Sequence, residues 1–133
     1  MMDRARTLQM IENTLLQLGD IHAALTAARN GSSTARDGGD VSVGFRAIAQ
    51  VTASAPGFAT VQELAALAER FSDDDTLDED GERVDVLQHA ADVLALLLKD
   101  HDARLHGRRG ADVAPVADAL RARLEHALLV GVL

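Results

Sequence analysis

GFRAIAQVTASAPGF, residues Gly44–Phe58, is the stretch on which the reading of this chain turns. It opens as an amphipathic helix and runs into small residues before a Pro-Gly break. Phe45, Ile48, Thr52 and Ala55 recur at three-four spacing, with Val51 beside them, and are expected to face inward. Arg46, Gln50 and Ala53 fall on the outer face, and Ala49 lies at the boundary. The outer face therefore carries one cation and otherwise little more than methyl groups. Two readings of that face follow. Either the small side chains let neighbouring helices pack closely, or they form a bare docking surface.

The same periodicity extends in both directions. Leu8, Ile11, Leu15, Leu18, His22 and Leu25 predict a helix over about Arg4–Arg29, with Asn30-Gly31 as its stop. Residues 31–40 (GSSTARDGGD) read as a flexible linker by composition. The second helix is expected from Val41 to Ser54, broken by Pro56-Gly57. A third begins at Thr60, where TVQE reads as a capping box between Thr60 and Glu63, and Val61, Leu64, Ala68 and Phe71 form its stripe. Residues 72–82 (SDDDTLDEDGE) are an acidic loop. Val84, Leu87, Ala91, Leu94, Leu98 and His101 mark a fourth helix ending near Leu105. After a basic turn, Asp112 reads as the N-cap of a fifth that tolerates Pro115 in its first turn and points Val116, Leu120, Leu124 and Leu128 inward. Five helical patterns with short links predict one all-α domain over residues 1–133: an up-and-down antiparallel four-helix bundle with an additional C-terminal helix.

Composition narrows the chemistry. A chain of 133 residues buries roughly two-thirds of the surface its unfolded form exposes, enough for one core. With no cysteine, disulfides, thiol catalysis and cysteine-ligated zinc are excluded. A net charge of −8 argues against nucleic acid and against anionic membrane surfaces. Three Phe with no Trp or Tyr leave few platforms for stacking bases or sugars. The apolar runs Val93–Leu98 and Ala127–Val130 are far shorter than a membrane span, and MMDRARTLQM has no signal-type apolar core, so the chain reads as cytoplasmic.

The acidic loop is not expected to make a calcium site. With Gly81 as the sixth loop position, Thr76 and Leu87 fall where ligands are required. His22 and His101 lie on apolar stripes at opposite poles of an up-and-down bundle, and His89 and His126 sit singly. No HExxH, nucleophile elbow or phosphate loop is present, so neither cofactor nor metal is expected.

FRAIAQVTASA, then PGFAT, then VQELAALAERF resembles the histidine phosphotransfer (HPt) domain, most closely the N-terminal phosphotransfer domain of chemotaxis-type histidine kinases. That family's acceptor helix reads roughly F-R-A-x-H-x-[IL]-K-G-x-A, followed by a helix of L-x-x-L-A-x-x-x-E type. Phe45, Arg46, Ala47, Val51, Ala55 and Phe58 fit the frame, and RVDVLQHAADVLALLLKD and ADALRARLEHAL look like the family's last two helices. The chain departs from the pattern at three positions. Ala49 stands where the resemblance places the phosphoacceptor histidine, Thr52 where it places the lysine, and Ala53 where it places the glycine. A methyl group has no lone pair and carries no phosphoryl group.

The resemblance thus implies a non-enzymatic, pseudo-phosphotransfer module in two-component or chemotaxis-like phosphorelay signalling. Its partner is a response-regulator receiver domain or a histidine kinase, and its binding residues are Arg46, Ala49, Gln50, Thr52 and Ala53. Two alternatives stand beside it. The C-terminal LLVGVL suggests a structural bundle that oligomerises through its apolar end. A displaced acceptor is the other; HGRRG at His106 echoes the motif formally, but its glycines bracket a turn.

Overall fold

The computed structural model describes residues 4–29, 35–53, 55, 57–72, 81–108 and 112–132, with the backbone alone for 28–29, 35–40, 81–83 and 130–132. Five helices follow in order: α1 (Arg4–Arg29), α2 (Ala35–Ala53), α3 (Ala59–Ser72), α4 (Gly81–Leu105) and α5 (Ala114–Val132). There is no strand among the described residues. Helix α1 packs on α2, α2 on α3, α3 on α4 and α4 back on α1, which closes a ring of four. Helix α5 lies outside that ring, against α3 and α4. The expected all-α bundle with an additional C-terminal helix is therefore what the chain forms.

The apolar stripes explain the assembly. Ile11, Leu18 and Leu25 from α1, Phe45 and Ile48 from α2, Val61, Leu64 and Phe71 from α3, and Leu87, Leu94 and Leu98 from α4 fill one core. Helix α5 seals its side with Ala117, Leu120 and Leu124. Full burial of such side chains contributes about 1.5–3 kcal/mol each and outweighs the weak propensity differences along the chain.

The turn between α2 and α3 sets the lower pole. Ala55 N donates to Thr52 O at 3.1 Å, and Phe58 N donates to Ala55 O at 3.3 Å. Gly57 has φ of 87°, a left-handed conformation that favours glycine. Phe58 then folds under the bundle, buried against the ring of His101 at a centroid distance of 4.2 Å.

Several expectations are corrected. Helix α2 starts at Ala35, so 35–40 of the expected linker are helical; once the packed half of a helix exists, each added turn extends it at low cost. Thr60 is the second residue of α3 and not its cap. Glu63 does not reach back to it; both its carboxylate oxygens accept from Arg121 of α5, at 2.8 and 3.0 Å. Val51 is 47% exposed and Val116 36%, each about 100° off the stripe that its helix buries. In α5 Ala117 takes the inward place. His22 is exposed, 3.9 Å from Asp92, because Ile21 occupies the buried position beside it. Ser72 closes α3, Gly81 and Glu82 open α4, and the rest of the expected acidic loop, with Thr76, lies outside the described residues. Asp112 falls one residue before the cap of α5: Val113 O accepts the first helical hydrogen bond, from Ala117 N at 3.0 Å, while Asp112 Oδ1 accepts from Ala114 N at 3.4 Å.

Gly44 packs α2 directly against Ile21 of α1. A Cβ there would lie 2.7 Å from Ile21 Cγ1 and 2.9 Å from its Cδ1. Helix propensity favours alanine by about 1 kcal/mol, whereas overpacking costs about 1–3 kcal/mol. Ile21 is buried and cannot swing clear, so the clash decides. Gly44→Ala is expected to destabilise the bundle on the order of 1 kcal/mol in urea melts followed by circular dichroism. Combined with Ile21→Ala it should cost less than the two single changes added together; strict additivity would show that the helices are not in contact at this point. Ser42 Oγ is buried with no hydrogen-bond partner among the described residues. Ser42→Ala is therefore expected to raise stability by about 1 kcal/mol in the same assay.

Candidate functional site

Helix α2 presents the stretch on which the sequence reading turned. Phe45, Ile48, Thr52 and Ala55 are buried, while Arg46, Gln50 and Ala53 are exposed, as the periodicity requires. The boundary residue falls inward: Ala49 is 8% exposed and belongs to the core. Thr52 is sealed in as well, its hydroxyl donating to Ile48 O at 2.7 Å. Of the five expected contact residues, the structure thus brings Arg46, Gln50 and Ala53 to the surface and withdraws Ala49 and Thr52 from it. The inner edge of this face exposes no nucleophile: Ala49 ends in a buried methyl without a lone pair, and the Thr52 hydroxyl, which donates to Ile48 O, keeps its lone pairs but is sealed in the core.

Arg46 does not stand alone. Its Nε donates to Glu69 Oε1 of α3 at 2.8 Å, so the cation of this face is held beside a carboxylate. Sequence reasoning missed this pair because the register between α2 and α3 is set by the turn at Gly57.

It also missed the larger feature next to the stripe. The exposed side of α2 slopes into a groove against α1, about 690 Å³ in volume, floored by Met10 and Ile48 and edged by Gln9, Asn13, Gln50 and Val51. Each edge is an ordinary polar helix face in isolation. The groove exists only because α1 and α2 lie side by side.

The histidines disperse. His89 Nδ1 is 3.0 Å from Arg123 Nη1, and His106 Nδ1 is 2.9 Å from Asp102 O in the turn after α4. Gly107, with φ of 74°, ends the helical path directly after His106, and Arg109 and Gly110 lie outside the described residues. Among the described residues no group of three or more His, Asp or Glu side chains gathers as metal ligands would.

His101 sits in a concave setting. It shares the lower pole with Phe58, Leu97, Asp100, Arg104 and Arg121 around a pocket of about 290 Å³. Asp100 Oδ2 accepts from Arg104 Nε at 3.0 Å, and its Oδ1 is buried without a partner among the described residues. Burial against the bundle pushes the His101 pKa below its ordinary value; Asp100 opposes this shift and Arg104 reinforces it.

Comparisons with family models, curated proteins and solved structures return no match to this chain. No helix among the described residues is long and apolar enough to cross a membrane.

The sign of the His101 shift fixes a pH dependence. The folded state holds this imidazole neutral at a pH where the unfolded chain protonates it. Its contribution to stability is complete above the ordinary value of 6.5 and is lost as the pH falls from there towards the folded pKa. Urea melts between neutral pH and pH 5 should show a slope that His101→Phe reduces. An unchanged slope would mean that His101 titrates in the bundle as it does in water.

Proposed function

We propose that this chain is a non-catalytic, HPt-like interaction module of a two-component or chemotaxis-like phosphorelay, and that it binds a receiver domain without carrying phosphate. One observation carries the reading. At the position where the resemblance calls for a nucleophilic imidazole, α2 holds Ala49, a core methyl beneath an otherwise exposed stripe. The four-helix ring gives the reading its scaffold, since a rigid helix pair holds Arg46, Gln50 and Ala53 on one line of α2. Thr52 supports it further, because a buried hydroxyl cannot supply the positive charge that phosphoryl oxygens attract.

The receiver would meet Gln50 and Ala53 at the centre of the contact and the Arg46–Glu69 pair at its edge. Contacts of this composition are modest in strength and selective in register. The reaction chemistry would belong to the partners, and the bundle would hold a receiver away from its kinase or beside it.

The test is a phosphotransfer assay run with a pull-down, using kinases and receiver domains from the same source. The expected result is binding without acid-labile phosphate on the chain. Arg46→Glu should weaken that binding by roughly tenfold. Label on any of the five histidines, or no interaction with any receiver, would overturn the proposal.

A further inference from the structure

Helix α4 shows solvent a narrow strip between α1 and α5. Leu96 lies in that strip at 41% exposure, with Leu16 of α1 on one side at 67% and Val116 of α5 on the other at 36%. Two contacts fix the heights of these residues. His22 of α1 stands 3.9 Å from Asp92, and His89 stands 3.0 Å from Arg123 of α5. Neighbouring helices run antiparallel, so Leu16 and Val116 both come within about 3 Å of the height of Leu96. Half of the large apolar side chains exposed among the described residues thus form one band across three helices. Gly19 leaves a notch beside Leu16, since a Cβ there would meet nothing within 4 Å.

The charges around the band repeat with opposite sign. On α4, Asp92 stands above it and Lys99 below, seven residues apart and so on one stripe. On α5 the order is reversed: Arg123 stands above and Asp112, at the foot of the helix, below. All four are exposed, and each pair is centred on the band.

That combination fits one occupant. In a two-fold contact a surface meets itself, so each residue faces its mirror position on the other copy. Laying α4 antiparallel on α4 of a second copy, about Leu96, sets Asp92 against Lys99 of that copy at both ends, about 5 Å from the axis. Arg123 comes over the foot of the other α5, beside its Asp112. Leu96 meets its own image, and Leu16 comes over the small residues Gly19 and Ala23 of the second copy. The acids further out find no acid opposite. Glu12 comes over the uncharged turn Ala23–Thr26, about 20 Å from its own image, and Asp85 comes over His106. With 25 residues α4 is about 37 Å long, and α1 beside it makes the face about 20 Å wide. These are the dimensions of an ordinary protein interface, with an apolar centre and a charged rim.

We infer that the outer face of α1, α4 and α5 is a self-complementary dimer surface whose occupant is a second copy of this chain. With a net charge of −8 two copies repel at most approaches. Here the acids of one copy meet the bases of the other. The face lies across the bundle from Arg46, Gln50 and Ala53 of α2, so the inference neither needs nor blocks a signalling partner.

Sedimentation of the whole chain over a range of concentrations tests it. The wild type is expected to reach twice the chain mass. Leu96→Glu places two carboxylates on the axis and should return the monomer, with an unchanged circular dichroism spectrum because Leu96 is already exposed. Lys99→Glu sets a glutamate against Asp92, and Asp92→Lys sets a lysine against Lys99. Each variant alone should therefore raise the dissociation constant about tenfold or more. Mixed in equal amounts, the two should form a mixed dimer as tight as the wild type, since every pair on α4 is then of opposite sign. A wild type that stays monomeric throughout overturns the inference. So does a dimer that survives Leu96→Glu, which would put the contact elsewhere, such as the apolar end of α5. So does a mixture that associates no more tightly than either variant alone.

Discussion

The contact between α2 and α3 is the constraint on which the rest of the bundle depends. It is the most extensive helix–helix contact among the described residues, and small side chains make it possible. Ala65 and Ala68 of α3 are fully buried, and Ala49 of α2 nearly so, while Phe45 and Leu64 fill the space between. Close backbone approach raises the number of dispersion contacts each atom makes. Thr52 lies in this seam without demanding a partner from α3, because its hydroxyl bonds back to its own helix. The tight turn that follows delivers Phe58 to the pole, where it meets the last turns of α4. The seam thus fixes the floor on which α4 and α5 settle.

Electrostatics on the outside tells a consistent story about α3. Its two glutamates reach in opposite directions: Glu69 to Arg46 on α2 and Glu63 to Arg121 on α5. The Glu63 hydrogen bond also pushes the Arg121 pKa up. Exposed pairs of this kind add little to stability. Their geometric effect is larger, since each ties the rotation of α3 to a different neighbour. In an acidic chain Arg46 and Arg121 are spent on holding helices together.

Much of this fold was legible in the sequence, and the failures share a cause. The stripes of α3 and α4 repeat large apolar residues at three-four spacing, so their buried faces were read correctly. Val51, Val116 and His22 were misread because each adjoins a true core residue, and a single sequence does not set helix rotation to better than one position. The Gly38-Gly39 pair disguised the first turns of α2, where propagation from a packed helix overrides local propensity. TVQE had the spacing of a cap, yet Phe58 O already receives the first helical hydrogen bond, from Gln62 N at 2.9 Å. The site was legible only in part. Periodicity placed Arg46, Gln50 and Ala53 outward, but whether Ala49 was covered depended on how closely α3 approaches.

Gly44 and Ile21 share a volume that neither fills alone. Where two positions occupy one space, what descent preserves is their combined size rather than either residue. A descendant that gains a methyl at position 44 does so at little cost only where position 21 has already become smaller. The order of such changes is then restricted, because one sequence of steps passes through a strained intermediate and the other through a cavity. Within a lineage of this fold, the two sites are expected to change as a pair.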